Sequence, residues 1–470
     1  MSSTDDERRR PSRSAAHELE RYEALFATRT GRMRSSVMRD LMAVTERPEV
    51  ISLAGGLPDT SMFDAELFGS LMADIAAGST AQALQYGPTE GLQAVRQCIV
   101  ELMAAEDMVV AEDELIVTTG GQQAIDLVCK ALIDPGDVVI AEAPTYPGAV
   151  PTFCSYEAEL VQIEMDGEGM VIDVLEQTLD RLAGEGRRPK FIYTIPTFQN
   201  PAGVTMSLPR RRRLVDIARE RELLILEDNP YSMLRYEGDP LPTLRSLEVP
   251  HGSRDGGDFV IYTGTMSKIL SPGIRVGWLV APRPVLAKLK LGKVSSDLCS
   301  SSLTQYFVAA YFAAGDWRDY IDVMRDCYRG RRDAMLDALA EQLPPEALWT
   351  HPQGGLFVWV TLPDYIDTTD LLARALRENV AFVPGEGAFD DGRGHNSMRL
   401  NFSSSTEDQI REGVRRIGKI IAEQVALYGR LTARQARPAA ASPLPAKTTP
   451  GNVVALPERQ ARSRRASRPA

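Results

Sequence analysis

Phe259–Lys268 reads FVIYTGTMSK. Its first half, β-branched and aromatic, has the composition of a buried strand, and its second half, small and hydroxylated, that of the loop ending it. The same pattern recurs along the chain. ELIVTTGG (Glu114–Gly121) runs into QQAIDLVCKALI, and DVVIAEAPTYPG (Asp137–Gly148) follows. KFIYTIPTFQNPAG (Lys190–Gly203) runs into SLPRRRRLVDIARERE, and LLILEDNPYS (Leu223–Ser232) completes the set. Apolar runs without alternation, each ending in a polar loop and often followed by a helix, predict an α/β fold. Its large, mainly parallel sheet is flanked by helices.

In such sheets the chemistry sits in loops at the carboxyl ends of the strands. That rule makes neighbours of Gly120–Gln122, Tyr146, Asn200, Asp228–Tyr231 and Thr265–Lys268. Later in the chain, GLFVWVTLP, VAFVPGEGAF and SMRLNFS are short strands separated by helices such as TDLLARALREN, which predicts a smaller α/β domain. The expected organisation is a weakly ordered segment over 1–30 and an N-terminal helix and substrate loop over 31–60. A large domain over 61–325, a small domain over 326–428 and a disordered basic tail over 429–470 follow.

Bulk composition narrows the function classes. The chain has 470 residues, 44% hydrophobic and 25% charged, with a net charge of -11. From Arg430 onward nine Arg or Lys face one Glu, so the body is strongly acidic, which argues against a nucleic-acid-binding core. No run is long and apolar enough to span a bilayer. The five cysteines form no CxxC pair and there are four histidines, so neither a disulfide framework nor a metal site is expected, and a cytoplasmic setting is the simplest. The cluster RRRRLVD (210–216) reads as a solvated helix face.

The converging loops hold a specific inventory. Lys268 supplies an amine and Asp228 a carboxylate at the end of an apolar strand. Asn200 and Tyr231 supply neutral hydrogen-bonding groups, and Tyr146 a flat ring. Gly121 and Gln122 open a helix whose free N–H groups suit a phosphate, with Thr265, Ser267 and Arg275 beside it. Pyridoxal 5′-phosphate needs all of these: an amine for its aldehyde, an acid for its ring nitrogen, a stacking aromatic, donors for its phenolic oxygen and a phosphate cup.

Ten motifs carry a resemblance to the fold type I aminotransferases, nearest to the subgroup of 2-aminoadipate and kynurenine aminotransferases. In order they are ISLAGGLPDTSMF, LQYGPTEGLQAVR, IVTTGGQQAIDLV, EAPTYPGA, PTFQNPAGV, LEDNPY, GTMSKILSPGIRVGW, GGLFVW, VAFVPGEGAF and MRLNFS. They span roughly residues 30 to 425. The resemblance implies that Lys268 carries the coenzyme covalently and acts on the substrate. Asp228 would pair with the ring nitrogen, Asn200 and Tyr231 with the phenolic oxygen, and Tyr146 would stack on the ring. Gly121, Gln122, Thr265, Ser267 and Arg275 would hold the phosphate, and Tyr86 would reach the phosphate of a neighbouring subunit in a homodimer. Arg399 would grip the substrate α-carboxylate, with Gly56 and Asn200 beside it, and Arg39 would meet a distal carboxylate. Two departures stand out: Gly121 replaces a usual serine, and Thr265 replaces the first serine of Ser-x-Ser-Lys. An X–Pro bond is readily cis, and Asn200–Pro201 is a candidate.

The implied reaction moves the amino group of an L-amino acid (2-aminoadipate, aromatic, leucine-like or glutamate) to a 2-oxo acid such as 2-oxoglutarate. Two other readings stay open on sequence. A lyase, decarboxylase or racemase could share this fold, because the bond broken at Cα depends on an angle sequence does not show. An aminotransferase-like transcription regulator is disfavoured, because only about 30 residues precede the first motif, too few for a winged helix. No nucleic acid or membrane partner is expected.

Overall fold

The computed structural model describes residues 22, 25–33, 47–249, 257–315 and 317–432. The first strands are β1 (Ile51–Ser52), β2 (Leu115–Thr118), β3 (Val138–Ala143), β4 (Glu159–Asp166), β5 (Gly169–Met170), β6 (Phe191–Thr194) and β7 (Leu224–Asp228). β8 (Val260–Thr265), β9 (Gly277–Val280), β10 (Leu348–Trp349), β11 (Phe357–Thr361), β12 (Val380–Ala381), β13 (Val383–Pro384) and β14 (Ser397–Asn401) follow.

Eight strands form one sheet in the order β2-β9-β8-β7-β6-β3-β4-β5. The run β4, β3, β6, β7, β8 is parallel throughout. β9 is antiparallel to both β8 and β2, so β2 points the same way as β8. The parallel interior explains the unbroken apolar runs, since successive side chains point to opposite faces and both faces are covered. Val138, Ile140, Ile192, Ile225 and Val260 pack into one core with the helices Ile172–Gly184 and Leu208–Arg221. Their strand neighbours Val139, Ala141, Tyr193, Leu226 and Ile261 pack into the other, with helix Gly121–Leu132.

A second sheet, β10-β11-β14-β13, is antiparallel. β1 joins this end of the molecule, pairing in parallel with β12 through Ile51↔Val380 and Ser52↔Ala381. Leu53 extends the link, donating its N–H to Ala381 and accepting from the N–H of Asn401, both at 2.8 Å. The glycine loop after β1 is thereby fixed to the small sheet.

Helix Trp317–Gln342, of 26 residues, runs through the expected boundary between 325 and 326, so the two proposed domains are joined by continuous helix. Helix Glu407–Thr432 runs four residues into the expected tail. The arginine cluster is not a uniformly solvated face. Arg211 is fully buried, donating to the carbonyls of Met206, Pro196 and Pro242 and to Thr197. A guanidinium has five donors, and these acceptors let it be buried without a carboxylate. The segments 1–21, 34–46 and 433–470, with much of the N-terminal region expected over 31–60, Arg39 and most of the basic tail, lie outside the described residues.

Among the described residues, no helix is long and apolar enough to cross a membrane. Cys98, Cys129, Cys299 and Cys327 form no disulfide.

Candidate active site

The carboxyl ends of β2, β8, β7, β6 and β3 lie along one edge of the large sheet. The antiparallel β9 begins at that edge, and so delivers Arg275, two residues before its start. Between this edge and the small sheet is a cavity of about 730 Å³. It is lined by Gly56, Gly121, Gln122, Tyr146, Asn200, Asp228, Tyr231, Thr265, Ser267, Lys268, Arg275 and Arg399. Every expected site residue is therefore in one place except two. Tyr86 does not line the cavity and is 77% exposed, and Arg39 lies outside the described residues.

One end of the cavity is built for an anion. Helix Gly121–Leu132 starts there, and Gly120 precedes it at φ 78°, in the left-handed region that glycine enters at no steric cost. A Cβ on Gly120 would stand 2.5 Å from an Arg275 nitrogen, so the glycine also lets the guanidinium close on the helix terminus. Arg275 donates to the carbonyls of Thr119 at 3.2 Å and Pro272 at 3.3 Å. The Thr265 hydroxyl donates to Ser267 Oγ at 2.9 Å and accepts the Ser267 N–H at 3.1 Å. The threonine thus keeps the hydroxyl that the departure from Ser-x-Ser-Lys put in question. A Cβ on Gly121 would meet only Thr265 Cβ, at 3.8 Å, so sterics do not demand glycine there. Gln122 anchors its side chain on Thr152 Oγ1 at 2.7 Å.

The other end holds the amine and the acid. Lys268 Nζ donates to the Gly56 carbonyl at 2.6 Å. Burial, then repulsion from Arg399 and Arg275, lowers its pKa to about 8, with Asp228 opposing. Burial raises Asp228 to about 6 against the Tyr193 hydrogen bond and the Lys268 charge. Asn200, after which comes the cis Asn200–Pro201 bond, donates to the Tyr231 hydroxyl at 3.3 Å. Its side-chain carbonyl accepts from Arg399 at 3.0 Å. Arg399, on β14, also donates to the Ala54 carbonyl at 2.8 Å and lies over the Phe357 ring at 4.3 Å.

Sequence reasoning missed several neighbours of this site. Tyr193 donates to Asp228 Oδ2 at 2.7 Å. Phe357 lines the cavity beneath Arg399. Glu142, buried with its pKa raised to about 7 by burial, accepts from the Ile195 N–H at 3.2 Å and Gln199 Nε2 at 3.0 Å. It ties the end of β3 to the loop carrying Asn200. The signal for Glu142 was present: a lone acid inside VVIAEA. Tyr193 and Phe357 gave none, since aromatics in apolar strands read as core.

A helix terminus, two hydroxyls and a guanidinium at one end suit a phosphate ester. A buried carboxylate, a low-pKa amine and an Asn–Tyr pair at the other suit a pyridine aldehyde bearing a phenolic oxygen. The donor set fits pyridoxal 5′-phosphate.

Comparison with known proteins agrees. The family profile described as aminotransferase class I and II matches residues 49–417. The chain is 43% identical over 405 residues to aromatic-amino-acid aminotransferase 1 of Thermococcus litoralis, covering 86% of this chain and 95% of that one. It is 39% identical over 403 residues to 2-aminoadipate transaminase of Thermus thermophilus, covering 86% and 98%. A solved structure of Pyrococcus horikoshii kynurenine aminotransferase, in complex with PMP, superposes with a TM-score of 0.81. It shares 40% identity and covers 87% of this chain and 99% of that one.

Proposed function

The chain belongs to the class I and II aminotransferase family, and from that premise we propose how its own residues carry out amino-group transfer. It is a pyridoxal 5′-phosphate-dependent enzyme acting on an amino acid. When bound, the coenzyme supplies an aldehyde that takes the amino group and a protonated ring that accepts the electron pair freed at Cα.

The phosphate would be held by the N–H groups of Gly121 and Gln122, by Thr265 and Ser267, and by Arg275. Asp228 would hold the proton on the ring nitrogen, and Tyr146 would lie against the ring. Asn200 and Tyr231 would orient the phenolic oxygen. Lys268 would hold the coenzyme between turnovers and take the proton from the substrate Cα. A pKa near 8 leaves a useful neutral fraction of this amine at neutral pH. Arg399 grips the α-carboxylate in a bidentate pair, with Gly56 and Asn200 beside it. One such grip serves both partners in turn, so the amino acid leaves as its 2-oxo acid before the acceptor 2-oxo acid enters: a ping-pong order.

The observation that carries this reading is the convergence of Lys268, Asp228 and Arg399 on one cavity with an anion cup at its far end. The cavity lining also combines Phe357, Ile51 and Leu57 with Ser404, Ser405 and Gln409. That lining supports aromatic and leucine-like donors, with 2-aminoadipate and glutamate as the acidic alternatives. A panel of these donors against 2-oxoglutarate, followed by kcat/KM, tests it. Absence of 2-oxo acid from every donor would refute it.

We further assign a homodimer in a cytoplasmic, biosynthetic role. Tyr86, Leu84, Leu291, Val294 and Leu298 are large apolar groups left exposed. Thr89 Oγ1 bonds the Leu298 carbonyl at 2.9 Å, which joins the Tyr86 loop to that surface. A second copy covering this face would bring Tyr86 toward the other copy's phosphate cup.

A further inference from the structure

Tyr193 sits in the middle of the apolar strand β6, fully buried. Its ring packs edge-to-face on Phe153 with centroids 5.4 Å apart. Its hydroxyl donates to Asp228 Oδ2 at 2.7 Å. The register explains the meeting: Tyr193 lies opposite Leu226 on β7, and Asp228 projects two residues further along the same face. Asp228 lines the cavity, and among the described residues no side chain or backbone N–H is bonded to its Oδ1. The carboxylate is thus divided, with one oxygen held by the protein and the other turned to whatever enters.

We propose that Tyr193 is a positioning residue that keeps Asp228 ionised and aims its Oδ1 at the coenzyme ring nitrogen. This rests on the assignment of Asp228 above. The physical case is that a buried carboxylate needs compensation for lost hydration. A tyrosine hydroxyl donates a charge-assisted bond without bringing a charge of its own. A cation in that place would compete with the ring for the carboxylate. Lys268 acts on Asp228 as a charge, and Glu142, Tyr146 and Tyr231 also feel its field. Tyr193 is its one direct side-chain donor among the described residues.

The test uses Tyr193→Phe, which keeps the packing on Phe153 and removes only the hydroxyl. The dissociation constant of pyridoxal 5′-phosphate is measured by equilibrium dialysis between pH 5.5 and 8.5 for four proteins: wild type, Tyr193→Phe, Asp228→Asn and the double variant. On acidification the coenzyme is lost as Asp228 takes a proton. In Tyr193→Phe that acid limb moves up by about one pH unit, with the thermal midpoint little changed. On the Asp228→Asn background the same substitution alters the constant less than about twofold, because coupled groups are not additive. An acid limb superimposed on the wild type would overturn the proposal. So would a Tyr193→Phe effect that persists in full on the Asp228→Asn background, which marks a packing role. If Asp228→Asn itself binds the coenzyme as tightly as the wild type, the assignment of Asp228 fails first.

Discussion

Lys268 Nζ donates to the carbonyl oxygen of Gly56 at 2.6 Å. The amine belongs to the loop after β8 of the large sheet, and the carbonyl to a loop that β1 fixes to the small sheet. Arg399, on β14 of the small sheet itself, donates to Ala54 of the same segment at 2.8 Å. The two cations central to the proposed chemistry are therefore held by one short glycine segment, Lys268 from across the cavity and Arg399 from the segment's own side.

The ionisation of Lys268 gives the first prediction. A solvated lysine keeps a pKa near 10.4, whereas burial and two nearby guanidinium groups lower this one to about 8. The neutral, nucleophilic fraction therefore rises as pH increases through about 8 and levels off above it. Competitive labelling of coenzyme-free protein with acetic anhydride should show that midpoint. A midpoint at the solvated value contradicts it. Lys268→Ala should lose turnover together with the coenzyme that borohydride fixes to the wild type.

Gly120 gives the second. Alanine there is forced into φ 78° and places its Cβ against Arg275. The expected cost is about 1 kcal/mol of stability or more, read as a lower thermal midpoint. The displaced guanidinium should also weaken pyridoxal 5′-phosphate binding about tenfold, equivalent to about 1.4 kcal/mol. Coenzyme affinity at the wild-type level would show that Arg275 takes no part in the anion cup.

Arg399→Lys tests the carboxylate grip. A lysine keeps the charge but loses the planar fork, the Asn200 bond and the stacking on Phe357. Transition-state binding should weaken by about 3 kcal/mol, and kcat/KM for amino acids should fall about 100-fold, mostly through KM. The corresponding amines without a carboxylate should be affected far less. Equal losses for both would move the grip elsewhere.

Val294→Glu tests the exposed apolar face. Burying an unpaired carboxylate between two copies is strongly unfavourable. The variant should sediment as a monomer at micromolar concentration, and its coenzyme affinity should fall because Tyr86 no longer reaches a second site. A dimer of undiminished stability would place the interface on another surface.

Strands β2, β3, β6, β7 and β8 were legible because they are buried almost throughout, which makes each one an apolar run with a polar loop behind it, whereas β4 alternates polar and apolar residues and is partly exposed. The loops carried the site for the same reason: residues such as Asp228 and Lys268 stand where an apolar run stops. Arg211 misled because charge density in RRRRLVD points to solvent, while the carbonyls of Met206, Pro196 and Pro242 that bury it come from other elements. The linking helix Trp317–Gln342 was not legible across 325/326, because a helix keeps one periodicity throughout its length.

By itself the sequence determined which groups could meet a phosphate, a ring nitrogen and an aldehyde, since residue type and strand-end position are local properties. Only the tertiary structure decided which side chains complete them. Tyr193 reaches Asp228 across a strand register, Gly56 reaches Lys268 over 212 positions of chain, and Phe357 lies under Arg399 through an antiparallel pairing. Those contacts depend on how strands align and which sheet carries which loop, and they are set by burying both faces of the sheet at once, not by any one segment.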